Sequence, residues 1–374
     1  MKSAEISENK MSDIDKRIRV FHIGGRGGIG PSECLLKLGR KNMSFSIFEA
    51  NLGGEKEDSW DYDDPTIRDY VHKYGIKPLL IPSCIYNRVG KKKFYINAMP
   101  DCSSLLKMNP DAKDYSRLSH RFPLLSDYRI IWGEISKPIR TVEVDVTTLD
   151  KLYSDKKINM PHFLSIDVQG AEYEVLEGAS KILQGDLLGV VSEVEFRELY
   201  ENQKLFMDQY SLLKKHKFSL FELYNTEYWH QGPILGKGDG AIVVSEALFL
   251  RDFQYFVQKY RDPSKLLSNL SKLAIVAYSF NKKSYSFEII QYIMKNLRSE
   301  WETFLRENNN DYIRELMRFY HGVKANPPYK KIPTYAEFMN KGEPLRRPKP
   351  VFFVLKILVN AFRKLKQKKQ EYHL

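Results

Sequence analysis

Cysteine is scarce in this chain. There are three in 374 residues, Cys34, Cys84 and Cys102, far apart and odd in number. No CxxC pair and no Cys/His metal spacing occurs, which excludes a disulfide framework and a structural zinc site. Long apolar runs are also missing. No stretch approaches the ~20 residues that a spanning helix needs. The N-terminal "MKSAEISENKMSDIDKR" lacks the apolar centre of a signal peptide. These absences lead to the expectation of a cytoplasmic protein, with attachment to the inner membrane face left open. A Gly-Lys-Ser/Thr phosphate loop is absent too, which argues against ATP hydrolysis.

Acidic residues are outnumbered. Lys and Arg total 59 against 47 Asp and Glu, a net charge of +12. The excess is concentrated at one end. Arg346 to Leu374 carries nine Lys/Arg against the single acid Glu371, a net of +8. The rest of the chain is only mildly basic, and no RNA-module signature occurs, so no nucleic-acid partner is expected. In this tail Lys356, Asn360, Arg363, Lys364 and Gln367 share one helical face, and the remainder of Val351–Leu365 is largely apolar. That pattern suits a helix lying on an anionic membrane surface, or one packed on a protein partner.

What is present is a folded core: 43% hydrophobic and 28% charged residues. Residues 1–16 read as a disordered tail. From Ile18 short apolar runs alternate with helical patterns. "IRVFHIG", "SFSIFEA", "KPLLIPSCIY", "HFLSIDV", "LLGVVSEVEF", "SLFELYN" and "GAIVVSEALFL" read as strands, and "KKKFYIN" closes a hairpin with the third. "PSECLLKLGRK", "AEYEVLEGASKIL" and "MDQYSLLKKHK" read as helices. In the second of these, Ala171, Val175, Leu176 and Ala179 form an apolar face. The alternation predicts an α/β fold, a mainly parallel sheet with helices on both faces, whose last strands can pair antiparallel. After Asp252 the pattern becomes helical and rich in Lys, Tyr and Asn. It predicts a helical extension over 253–345, followed by the basic tail helix 346–374.

"VFHIGGRGGIGPSE", Val20 to Glu33, holds five glycines between the first strand and a helix start. Such a turn lets the backbone pass close to a ligand, or simply packs helix on strand, and the helix start adds N–H donors. Gly24, Gly25, Arg26 and Gly28 are candidates for cofactor contact. Glu49 ends the second strand 25 residues beyond Gly24, where a carboxylate can accept hydrogen bonds from both hydroxyls of a ribose. This spacing points to a nucleoside-bearing cofactor without choosing between a dinucleotide and S-adenosylmethionine. Asn51 follows Glu49 in the same loop, and Ser83 and Cys84 lie at the end of the third strand. Asp167, Glu193 and Glu195 stand at the ends of later strands, and the two glutamates share a strand face.

The segments "HIGGRGG", "IFEAN", "CSSLL", "VDVTTLDKL", "FLSIDVQGAEYEVLEGA", "VVSEVEFRELYENQKLF" and "ALFLRD" together resemble the FkbM family of S-adenosylmethionine-dependent methyltransferases, over residues 17–252. The resemblance implies a class I methyltransferase fold, a Rossmann-like doubly wound sheet of seven strands with the last reversed. It also implies O-methyl transfer to a hydroxyl, as on a macrolide or on a sugar of a surface glycan or lipid-linked saccharide. The chain departs from the family at His22, where an Asp usually supports the glycine loop; His22 is placed with the cofactor-binding set in its stead. Asp167 is the first candidate for the base that deprotonates the acceptor, followed by Glu193 and Glu195. The same three carboxylates permit Mg²⁺ but do not require it. Ser103 and Ser104 are candidates for substrate contact, with an N-cap as their plainer role. Two other readings stay open: a nicotinamide oxidoreductase using the same Gly/Glu pair, and an inactive scaffold tethered to a membrane.

Overall fold

The computed structural model describes residues 17–24, 29–50, 65–118, 129–232, 240–307 and 311–325. The chain divides into two units at Tyr320; of the second, only residues 321–325 are described, and they are helical. Gly25, Arg26, Gly28, Asn51, residues 1–16 and the basic tail 346–374 therefore lie outside the described residues. No helix among the described residues is long and apolar enough to cross a membrane.

Among the described residues twelve strands run in chain order: β1 (Ile18–Ile23), β2 (Met43–Glu49), β3 (Leu79–Pro82), β4 (Cys84–Ile85), β5 (Gly90–Asn97), β6 (Ser116–Leu118), β7 (Arg129–Ile131), β8 (Pro138–Thr147), β9 (Phe163–Ile166), β10 (Gly189–Glu195), β11 (Phe218–Trp229) and β12 (Ala241–Arg251). Seven of them form the main sheet in the order β11-β12-β10-β9-β1-β2-β3. Counted among themselves, these seven lie 3-2-1-4-5-7-6. The five consecutive strands β10-β9-β1-β2-β3 are parallel, while β12 runs antiparallel to both β10 and β11. The antiparallel pairing expected of the last strands is thus present.

Strand alternation sorts the core. On β1, Ile18 and Val20 face one side and Phe21 and Ile23 the other. The second side is covered by helices Leu149–Ser154, Glu172–Glu177, Ser180–Leu183 and Phe206–Lys215. Ala171, Val175, Leu176 and Ala179 are fully buried there, as their spacing predicts. The first side is met by two helices of four residues each, Glu33–Leu36 and Gly39–Asn42, and by Pro65–Tyr74. Helices that short cannot cover a sheet face. The helices from Phe253 onward complete it: Phe256, Leu270, Leu273, Ile289, Ile293 and Trp301 join Val20, Ile47 and Val191 in one apolar cluster.

Two expectations fail locally. "KPLLIPSCIY" is not one strand. It breaks at Ser83, with β3 in the main sheet and β4 pairing parallel to β8 in a separate three-stranded sheet, β4-β8-β5. Nor does "KKKFYIN" form a hairpin with it. Its strand β5 pairs antiparallel with β8, some fifty residues later, because β8 supplies a long partner that the two-residue β4 cannot.

Arg251 ties the end of β12 to the chain around the ends of helices Ser180–Leu183 and Phe206–Lys215. Its guanidinium is fully buried and donates to the carbonyls of Leu187 (3.0 Å), Leu183 (2.7 Å) and His216, between the rings of Phe218 and Tyr255. Burial lowers its pKa to about 10, which leaves it charged at neutral pH. Arg251→Met strips three carbonyls of their donor at roughly 1–3 kcal/mol each, partly relieved by rearrangement. The expected loss is about 3–5 kcal/mol, read as a lower midpoint in urea unfolding. An unchanged midpoint would show that water replaces the guanidinium without cost.

Candidate active site

The strand order reverses direction between β1 and β9, which opens a crevice at their carboxyl ends. Gly24 follows β1 and Asp167 follows β9, so the two meet there. The Asp167 N–H donates to the carbonyl of Ile23 (2.9 Å), and the Gly24 N–H to that of Phe48 (3.0 Å). Gly24 has φ +90°, and a Cβ on it would lie 1.7 Å from the carbonyl oxygen of Asp167. The close approach made by this glycine is therefore to the Asp167 backbone.

A cavity of about 210 Å³ occupies the crevice. Gly24, Glu49, Ser83, Cys84, Ser103 and Asp167 all line it, so six residues singled out from sequence converge. Phe94 and Ile96 from β5 and Ile139 from β8 form an apolar wall; Ile139 is 68% exposed. Asn97, Asp101 and Gln169 also line the cavity, and nothing in their local sequence had marked them.

Four of the expected residues do not line it. His22 is buried within β1. Its Nδ1 lies 3.1 Å from Ser165 Oγ and its Nε2 has no partner. Burial lowers its pKa to about 4, so it is neutral. Ser104 is fully buried and donates to the Gln169 carbonyl (2.6 Å), a packing role rather than an N-cap. Ser103, though in the lining, accepts the Asn97 N–H. Glu193 and Glu195 sit beside the cavity, Glu193 half-buried and Glu195 buried with Oε2 unpartnered.

The acids form a group behind Asp167. Glu172, at the start of Glu172–Glu177, is fully buried; its Oε1 accepts the N–H groups of Val168 (2.8 Å) and Gly170 (3.1 Å). It was missed because an acid in a first helical turn is common, and only the fold buries this one. Burial, with Asp167 adding, raises its pKa to about 8. Asp167 is raised to about 6, chiefly by burial, with Asp101 and Glu49 adding. Glu193 and Glu195 are pushed well above the ordinary carboxylate range, first by burial and then by their acidic neighbours.

Oxygens of Asp167, Glu172 and Glu193 lie within 4.8 Å of one another, so Glu172 replaces Glu195 in the trio considered for Mg²⁺. The donor set does not fit a cation, however. The Gln169 side-chain amide nitrogen donates to Asp167 Oδ1 (2.9 Å) and Glu193 Oε2 (3.1 Å). Its hydrogens face the oxygens a divalent ion would need.

Comparison with known families bears on this same stretch of chain. Residues 41–220 match the family model described as the methyltransferase FkbM domain. That segment is an FkbM methyltransferase domain. It holds Glu49, Ser83, Cys84, Asp167 and Glu193, whereas β1 and the glycine turn precede the matched residues. No curated protein matches the sequence. Among solved structures, one described as methyltransferase FkbM from Methylobacillus flagellatus KT is similar, at 11% identity and a TM-score of 0.31. The match covers 63% of this chain and 44% of that one, so it spans less than half the other protein and fixes no residue equivalences.

Proposed function

We propose that the FkbM domain transfers a methyl group from S-adenosylmethionine to an acceptor hydroxyl, in a class I methyltransferase arrangement. One observation carries the choice of cofactor. Glu49, Asp101 and Asp167 line the cavity, and no Lys, Arg or His is among its described lining residues. Such a field attracts a ligand with sulfonium and ammonium charges and repels a pyrophosphate. It therefore favours this reading over a nicotinamide dinucleotide. Glu49 is the carboxylate for the ribose hydroxyls.

The donor supplies an already activated methyl carbon. The protein must align the acceptor oxygen, exclude water and take one proton. As the C–O bond forms, the C–S bond breaks, the sulfur takes the electron pair and becomes a neutral thioether, and the hydroxyl proton passes to a base. Asp167 is that base, since it alone of the raised-pKa acids lines the cavity. Hydrogen-bonding groups at Asn97 and Asp101 beside the apolar wall suit an acceptor with several hydroxyls and an apolar face, as a sugar presents. Attachment to an anionic membrane through 346–374 would place the enzyme near lipid-linked saccharides.

Isothermal titration with S-adenosylhomocysteine and with NADH tests the cofactor. Saturable binding of the first alone is expected. Glu49→Ala should weaken it about 10- to 100-fold, the worth of hydrogen bonds to a charged group. Binding of NADH alone would sink the proposal, and binding of neither would favour the scaffold.

A further inference from the structure

Gln169 is held on four sides. Its backbone is left-handed, φ +58°, uncommon for a residue other than Gly or Asn. Its carbonyl accepts the Ser104 hydroxyl (2.6 Å). Its side-chain oxygen accepts from Tyr200 Oη (3.1 Å). Its side-chain nitrogen donates to both Asp167 Oδ1 and Glu193 Oε2. Tyr200 is itself fixed. It is 1% exposed and packs edge-on against Trp132, which packs against Trp229. The orientation of the amide follows from these partners. Reversed, it would set a carbonyl oxygen against two carboxyl groups.

We propose that Gln169 positions the Asp167 carboxylate as the proton acceptor, holding Oδ1 and leaving Oδ2 to face the acceptor. An amide has two hydrogens and no exchangeable proton to give. With one hydrogen on each acid, Asp167 Oδ1 and Glu193 Oε2 cannot share a proton with each other. Oδ2 remains the oxygen of Asp167 that Gln169 does not engage. The hydrogen bond favours the ionised form of Asp167, against its burial and its neighbours. Those neighbours are Glu49 from β2, Asp101 after β5, Glu172 from its helix, Glu193 and Glu195 from β10 and Glu246 from β12. The Cys102 thiol and the Tyr200 phenol, both raised by burial, also face this group as neutral donors. Of the two acids that Gln169 holds, Asp167 is the one that lines the cavity.

This inference rests on the reading of Asp167 as the base, but its first test does not. Carboxyl carbons of selectively ¹³C-aspartate-labelled full chain are titrated by NMR without donor or acceptor, with Asp167→Asn identifying the resonance. In Gln169→Ala the Asp167 midpoint should move up by about one to two pH units. Tyr200→Phe should move it in the same direction by less, and carries the test if Gln169→Ala does not fold. The second test is turnover. In Gln169→Ala kcat should fall about 10- to 100-fold, the acid limb of the pH–rate profile should rise with the NMR midpoint, and KM for the methyl donor should hold. An unmoved Asp167 midpoint in both variants overturns the proposal. A moved midpoint in a protein that transfers no methyl group would keep the positioning role and reject the methyltransferase reading.

Discussion

Asp167→Asn is expected to lower kcat by about 10²- to 10⁴-fold, the usual worth of a positioned general base, while S-adenosylhomocysteine binding stays within a few-fold of wild type. Wild-type activity should rise with pH and reach half its plateau at about 6, where Asp167 loses its proton. Stability should move the other way. The pKa of Asp167 is raised in the folded chain above the ordinary aspartate value near 3.9. Its contribution is then most favourable below that value and is lost as pH rises through about 6. At pH 7 the ionised group costs on the order of 1–2 kcal/mol after allowance for its partial exposure, and Asn removes that cost. A variant that is inactive and no less stable, by denaturant unfolding at pH 7, is the combination that marks a residue held for chemistry. Activity within threefold of wild type would take the base role from Asp167.

Gly24→Ala should be strongly damaging. At φ +90° alanine is strained by about 1–2 kcal/mol before any contact is counted. Its Cβ would also overlap the Asp167 carbonyl oxygen at 1.7 Å and approach the carbonyl carbon at 2.7 Å. Backbone cannot swing aside as a side chain can. Either the end of β1 or that of β9 must shift, and the Gly24 N–H bond to Phe48 resists it. The expected loss is about 3 kcal/mol or more, with S-adenosylhomocysteine affinity reduced at least 100-fold because Gly24 and Asp167 together shape the crevice. Calorimetric unfolding and titration measure the two effects. Wild-type affinity in a folded variant would show that the crevice tolerates a wider spacing.

Much of this site was visible before folding. Asp167 and Glu49 each follow an apolar run that could only be a buried strand, and strand ends in such a fold converge. Gln169 and Glu172 were hidden, although both stand in "IDVQGAE". A glutamine after a strand and a glutamate in a first helical turn are ordinary on any surface. Here Glu193 of β10 and Tyr200 hold Gln169, and the fold buries Glu172 completely. His22 was misleading for the opposite reason. Its sequence neighbours are the glycine turn, but on β1 its side chain alternates into the interior beside Ser165.

By itself the sequence determined the elements and their class. Apolar runs of strand length, glycine punctuation and helical spacing are local properties, and they specified a mainly parallel sheet with acids at its strand ends. Pairing over distance was decided only by tertiary structure. β5 joined β8 rather than the nearer β4, because ladder length outweighs proximity in the chain. The helices after Asp252 closed a sheet face that two four-residue helices and Pro65–Tyr74 leave partly open. Burial then set the chemistry. Four carboxyl groups that would be ordinary in water, Asp167, Glu172, Glu193 and Glu195, are brought together with Gln169 between two of them. Desolvation, with the charges of Asp101 and Glu49 adding, raises the Asp167 pKa to about 6.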